Sequence, residues 1–245
     1  MWQPLRTDQP EILDVETPSQ ELLDRCYGYM KWTNRWLGGI RATLSCFRRF
    51  AKSWRPGERI RVLDVAAGAA DVPSALSRWA RARGVEVRVT ALDLDAGALD
   101  FARRDVGESL DYLCADVLRM PCREGAFDYV TSSLFFHHLT DEQIVAVLGA
   151  FDRIARRGIV VNDLVRRWRA WAWIKLFTLW ANPIVKVDGP LSVRKSLTVE
   201  EARRLVRRAG VEYLEVRTHF GHRMTISGER PVNSRCAAGT PRSRE

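Results

Sequence analysis

The chain has 245 residues, 46% of them hydrophobic and 28% charged, with a formal net charge of +9 at pH 7. That length and apolar content suffice for one globular domain and exclude a low-complexity or collagen-like chain. The excess charge is mostly arginine, since lysine stands only at positions 31, 52, 175, 186 and 195, and no continuous basic tract exists to serve as a nucleic-acid arm.

Five cysteines (26, 46, 114, 122 and 236) form no CxxC pair and no Cys/His cluster with zinc spacing, so reduced thiols and no bound metal are expected. No stretch has the charged start and apolar core of a leader, or the ~18 uninterrupted apolar residues of a membrane span. A cytoplasmic protein is expected.

Residues 1–16 are polar and mixed and are expected to be disordered. Thr17-Pro18-Ser19-Gln20 places a capping threonine, a first-turn proline and a capping-box glutamine, which predicts a helix start. Leu22, Leu23, Cys26, Tyr29, Met30 and Thr33 follow at helical spacing, Gly38-Gly39 interrupt, and a second amphipathic piece runs from Ile40 to Trp54. This unit, 17–56, has no strand and reads as a helical cap ahead of a domain at 57–230.

From Arg61 the pattern alternates between strands and helices, the signature of a parallel sheet. Strands are predicted at 61–65, 85–92, 112–115, 127–132 and 159–161. Between them lie a helix over 72–84 capped by Asp71, a helix opening near Asp95, which reads as its cap, and a helix opened by Thr140 and Gln143 that closes at Gly158. Residues 164–181 read as one apolar helix with four tryptophans, and 182–196 as a long Gly/Pro-containing connection; together they form a cap insertion. A helix over 198–209 carries the Thr198/Glu201 box, and two closing strands, 213–218 and 223–227, pair antiparallel across a short connection. The tail 231–245 is expected to be disordered. The fold class is α/β: a three-layer αβα sandwich with a Rossmann-like seven-stranded sheet, its last strand antiparallel, plus the helical cap.

The loop after the first strand, Ala66-Ala67-Gly68-Ala69-Ala70, has one glycine where a pyrophosphate loop wants GxGxxG, and a carboxylate, Asp64, precedes it. An anionic phosphate gains nothing from Asp64, whereas a cationic ligand does. Asp93, 25 residues beyond Gly68, suits both ribose hydroxyls, and Asp116 suits an adenine amino group with the Val117 amide on a ring nitrogen. Three carboxylates on three consecutive strand tips fit a nucleoside with an amino-acid tail and a positive sulfonium.

Through VLDVAAGAAD (62–71), ALDLD (91–95), CADVLRMPCREGAFDYV (114–130) and the two-strand close, the chain resembles the class I S-adenosylmethionine-dependent methyltransferases over about residues 20–228. YMKWTNRWLGG (29–39) and the GAAD loop are most similar to the ubiquinone/menaquinone C-methyltransferases and their small-molecule relatives. The resemblance implies S-adenosyl-L-methionine as cofactor. It puts Asp64, Ala66 and Gly68 at the methionine end, Asp93 on the ribose, Leu94, Asp116 and Val117 at the adenine, and Ser133 beside them. The family's DxGxGxG stands here as DxAxGxA, and alanine is tolerated there if φ stays negative.

Methyl transfer is an in-line displacement in which positioning supplies much of the rate, and a base is needed only when the acceptor loses a proton. His137 and His138, after the fourth strand, are the candidate bases. Tyr29, Trp32 and Arg194 are candidate acceptor contacts, while His219 and His222 read as structural or as the rim of the site. The tryptophan-rich segment reads as a lid, as a packed cap helix or dimer face, or as a peripheral membrane contact through Arg166, Arg167, Arg169 and Lys175. The expected function is O- or C-methylation of a small aromatic, polyketide or quinone-like acceptor in secondary metabolism, by a monomer or homodimer without nucleic acid. Rival readings are an RNA or protein methyltransferase and a non-catalytic binding protein of the same fold.

Overall fold

The computed structural model describes residues 3–15 and 19–231. The second helix opens at Gln20 with Ser19 in the cap position, so Gln20 is its first residue rather than a capping-box partner three residues in; Thr17 itself, the tail beyond 231 and Cys236 lie outside the described residues. The helices are α1 (Ile12–Val15), α2 (Gln20–Trp36), α3 (Gly39–Phe50), α4 (Asp71–Arg81), α5 (Ala96–Val106), α6 (Asp141–Ile154), α7 (Trp168–Phe177), α8 (Pro183–Lys195) and α9 (Val199–Arg208). The strands are β1 (Arg59–Val65), β2 (Glu86–Asp93), β3 (Asp111–Cys114), β4 (Phe127–Ser133), β5 (Ala155–Leu164), β6 (Glu215–His219) and β7 (Arg223–Glu229).

These strands form one sheet in the order β3-β2-β1-β4-β5-β7-β6. β7 runs antiparallel to both β5 and β6, and the remaining neighbours are parallel. β1 is buried from Val62 to Val65, as a parallel strand covered on both faces must be. Its side chains alternate between two cores. Leu63 and Val65 join Val130, Ile159 and Val161 against α6 and α9, whereas Val62 joins Val89, Tyr129 and Val160 against α3, α4 and α5. Strand order reverses between β1 and β4, which opens a crevice at their carboxyl ends.

α3 is a layer of the sandwich rather than part of a cap. Phe50 stacks on Tyr129 with ring centroids 5.5 Å apart, and Phe47 meets the same ring edge-on at 5.5 Å. The Trp54 indole N–H donates to the Tyr129 hydroxyl at 2.8 Å, and that hydroxyl donates to Glu229 at 2.6 Å. α2 crosses the crevice side, bonding Tyr27 to Asp95 and Asn34 to Asp71. The turn between α2 and α3 touches the β6–β7 hairpin so closely that a Cβ on Gly221 (φ 76°) would lie 2.0 Å from the Leu37 carbonyl oxygen, and one on Gly38 (φ 88°) 2.5 Å from that of Phe220. The interrupting glycines are therefore packing requirements.

Other boundaries move. α6 ends at Ile154 rather than Gly158, because Gly158 belongs to β5, where a Cβ would lie 2.4 Å from the Gly228 carbonyl oxygen. Leu164 closes β5, so the tryptophan-rich helix begins only at Trp168. The expected connection over 182–196 is helix α8. Asn182 caps it by accepting from the Val185 N–H at 3.0 Å, Pro183 opens it, and Pro190 is accommodated inside.

Residues 3–15, expected to be loose, are held to the domain. Arg166 donates to the Pro4 carbonyl at 2.8 Å, Arg6 pairs with Asp141 at 2.5 Å, and the Asp188 carboxylate accepts the Ile12 and Leu13 N–H groups at 2.9 and 3.3 Å.

Asp71 is the first residue of α4 rather than its cap; Ala70 holds the cap position in the left-handed region. Ala66 (φ 54°), Gly68 (φ 50°) and Ala70 (φ 52°) all take positive φ, so two of the three left-handed positions in this loop carry a methyl group. Left-handed backbone costs an L-residue about 1–2 kcal/mol, part of which glycine returns as chain entropy. Ala66→Gly and Ala70→Gly should therefore each stabilise by up to about 1 kcal/mol, a rise of ~2–4 °C in Tm for a chain of this size. Thermal denaturation checks this, and an unchanged or lowered Tm contradicts it.

Candidate active site

Asp64 is the penultimate residue of β1, opposite Thr131 of β4, at the reversal of strand order. It is buried, and the Thr131 hydroxyl donates to it. Burial pushes its carboxyl up to about 7 against that donation, with Asp71 and Asp93 adding to the rise. Burial likewise raises Asp71 to about 6, although Asn34 Nδ2 donates to it at 3.4 Å. Asp93 is raised too, chiefly by burial, while its two oxygens accept the Asp95 N–H at 3.0 Å and the Gly68 N–H at 2.8 Å. Among the described residues, none of the three forms an ion pair.

Several buried polar atoms around this loop have no partner: Asp71 Oδ2, Ser132 Oγ, Ser133 Oγ, and Arg223 Nε and Nη1. Native interiors leave few such atoms, and a polar ligand bound here would satisfy them. Arg223 is buried at the start of β7; burial lowers it to about 10, with Asp163 and Asp71 partly offsetting the fall. Its Nη2 donates to Asn34 Oδ1 at 3.1 Å, so Asn34 bridges Arg223 and Asp71. Above Gly68 the space is open, since a Cβ there would meet nothing within 4 Å. A zwitterionic amino-acid tail with a positive sulfur fits this donor and acceptor set.

Beside the tips of β4 and β5 lies a cavity of about 130 Å³, walled by apolar side chains from α2, α7 and α8 and including Met30, Leu134, Trp173, Ile174, Ile184 and Val193. His137 reaches it from a short turn after β4. The Asp163 carboxylate accepts the His137 backbone N–H at 3.0 Å and faces His137 Nδ1 at 2.8 Å. Burial alone would lower the imidazole pKa, but Asp163, and then Glu11, carry it above the ordinary histidine value. Asp163 is held below the usual carboxylate range, because His137 and its backbone donors outweigh burial. His137 Nε2 faces the cavity with Glu11 at 3.7 Å.

Glu11, His137 and His138 bring ligand-type atoms within 4.8 Å of one another. The Lys195 ammonium stands beside two of them, 3.5 Å from Glu11 and 3.4 Å from His138 Nδ1, and 2.9 Å from Asp14.

The structure thus gathers Asp64, Ala66, Gly68, Asp93 and Leu94 at the tips of β1 and β2. Leu94 is 70% exposed, open to a stacking partner. Asp116 follows β3 and caps a short turn through the Leu118 N–H at 2.8 Å, with Val117 beside it, and Ser133 ends β4. His137, His138 and Tyr29 line the cavity. Trp32 and Arg194 do not. Trp32 faces outward against Tyr29 and Phe177, and on α8 it is the neighbouring Lys195 that turns toward the cavity wall. Sequence reasoning missed Glu11, Asn34, Asp163 and Arg223 and took Asp71 for a cap; of these, only Asp163, at the end of a strand, carried a local signal.

Residues 62–158 match a family described as "Methyltransferase domain". The biotin biosynthesis bifunctional protein BioHC of Cellvibrio japonicus (strain Ueda107) is 35% identical over 77 residues, 31% of this chain and 14% of that protein, so the chain spans a small part of this curated relative. Among solved structures, the plantazolicin methyltransferase BpumL in complex with SAH superposes with a TM-score of 0.65 at 11% identity, covering 86% of this chain and 95% of that one. A putative S-adenosyl-L-methionine-dependent methyltransferase from Methanococcus maripaludis gives 0.60 at 14%, covering 87% and 96%. The O-methyltransferase family 2 protein from Planctomyces limnophilus in complex with apigenin gives 0.54 at 16%, covering 87% and 62%. At these identities the superpositions speak for the fold alone. The domain match and the strand order agree: residues 62–158 match the methyltransferase-domain family, and the sheet around them has the Rossmann-like fold of class I S-adenosylmethionine-dependent methyltransferases.

Proposed function

We propose that this chain transfers a methyl group from S-adenosylmethionine to an oxygen or carbon of a small, largely apolar acceptor of aromatic, polyketide or quinone-like character. The observation that carries the reading is the adjacency of two sites: a loop with three raised, unpaired carboxylates, and an apolar cavity into which a carboxylate-oriented histidine points. When bound, the cofactor supplies an activated methyl group on a positively charged sulfur. Asp93 accepts from the ribose, Leu94 covers the adenine, and Asp116 with the Val117 amide reads its edge. Asp71 Oδ2 takes the α-ammonium, while Arg223 Nε and Nη1 take the α-carboxylate, both fixed by Asn34. The apolar walls exclude water and align the acceptor. The similarity of residues 29–39 to quinone methyltransferases, and the small ligands that the structural neighbours carry, are in keeping with such an acceptor. Free cysteines at 26, 46, 114 and 122 suit a cytoplasmic setting.

His137 takes the acceptor's proton through Nε2, and Asp163 holds the ring by its other nitrogen. Because the folded His137 is raised, the base is neutral, and active, only above a pH higher than about 6.5. The rate of turnover should rise with pH through that point. His137→Gln should lower kcat by about 10²–10⁴ with little change in KM. Asp163→Asn should move the acidic limb to lower pH, since Glu11 is then left to oppose burial and Lys195 without the larger Asp163 contribution, and should also lower kcat. A limb that stays in place assigns Asp163 a purely structural role.

The assignment of the aminoacyl end is tested by binding alone. Wild-type protein should bind S-adenosylhomocysteine, and Arg223→Gln should weaken it by roughly 10–100-fold, the loss of a charged hydrogen-bonding pair, while leaving 5′-methylthioadenosine, which lacks that end, unchanged. Asp71→Asn should discriminate in the same direction. Equal loss for both ligands contradicts the assignment, and failure of the wild type to bind either favours the non-catalytic reading.

A further inference from the structure

The end of α2, the outer side of α7 and the tip of the β6–β7 hairpin form one exposed aromatic face. Trp173, Trp168, Leu176 and Phe220 share a surface groove, and Trp32 meets Phe177, which meets Trp173, at 6.5 and 4.8 Å between ring centroids. Exposure is high for side chains of this kind: 61% for Trp36, 53% for Leu176 and 71% for Phe220. Water-facing monomer surfaces seldom gather so much aromatic area.

The charge around this face has one sign. Residues 25–57, 164–187 and 216–228, which supply it, contain no aspartate or glutamate. Arg35 lies over the Trp36 ring at 5.5 Å and Lys175 over the Trp171 ring at 4.8 Å. Arg167 and Arg169 are exposed, and among the described residues none of these four forms an ion pair. A second copy of the chain would set this positive face against itself, which disfavours self-association. No described helix is long and apolar enough to cross a membrane.

We propose that this face docks on an anionic lipid surface, with the aromatic side chains entering the headgroup region and the four cations meeting lipid phosphates. The surface meets the cavity: Trp173, Gly221 and His222 line both the groove and the cavity, so an apolar acceptor dissolved in lipid has a short path inward. The docking itself does not rest on the methyl-transfer reading.

The test is co-sedimentation of the full chain with vesicles of phosphatidylcholine alone and of phosphatidylcholine with equal phosphatidylglycerol. Binding is expected only with phosphatidylglycerol and should fall as salt is raised. Replacing both Leu176 and Phe220, which share the groove, by serine should cut partitioning by at least about tenfold. Because both side chains are exposed, the melting temperature should not change. Arg167→Gln with Arg169→Gln should also weaken it. Equal binding to both vesicle types, no binding to either, unchanged partitioning of the serine variant, or a wild-type dimer that the serine variant dissolves would each overturn the proposal.

Discussion

The structure turns on a buried carboxylate with no counter-charge. Asp64 sits where the sheet reverses direction, bonded to Thr131 across the reversal, and two more raised carboxylates, Asp71 and Asp93, stand near it. Burying like charges together is unfavourable for folding, and of the three it is Asp71 that has a buried cation, Arg223, acting on it. The domain tolerates it because Asp93 is tied to two backbone donors and because both cores close tightly around β1 and β4. The same stress makes the crevice receptive to a positively charged ligand, whose arrival relieves it.

Everything placed above the crevice follows from that position. α2 crosses the loops after β1 and β2, and Asn34 there couples Asp71 to Arg223, which enters from the antiparallel strand β7. α7 and α8 wall the neighbouring cavity, and residues 3–15 close its far end through Asp188 and Lys195. The polar end of the cavity is therefore assembled from three distant parts of the chain: Glu11, the His137–Asp163 pair, and Lys195. Its chemistry can be oriented by the fold while its apolar walls vary with the acceptor.

The alternation of strands and helices, both capping boxes and the Asp95 cap were legible in the sequence because each is a local pattern with a local cause: Thr140 with Gln143 and Thr198 with Glu201 pair within a single turn. The strand-tip carboxylates were legible for the same reason. α8 was hidden because Gly189-Pro190 normally break a helix, and here Asn182 and the packing of α8 on α7 override them. Gly158 looked like a helix terminator but serves a close approach of β5 to β7. Arg223 and Glu11 could not be read locally, since each acts on groups brought near only by the completed sheet. The alanines at 66 and 70 adopt positive φ, the sign at which a side chain costs energy, a point the sequence leaves open.

The central claim, that unpaired carboxylates at the reversal await a cationic cofactor, is tested most directly by calorimetric titration with S-adenosylmethionine between about pH 6 and pH 8, in buffers of differing ionisation enthalpy. Asp64 at about 7 and Asp71 at about 6 are partly protonated in the free protein, and a bound positive charge lowers both. Binding should therefore release protons and tighten as pH rises through that range. Affinity that is independent of pH, or proton uptake on binding, would contradict it.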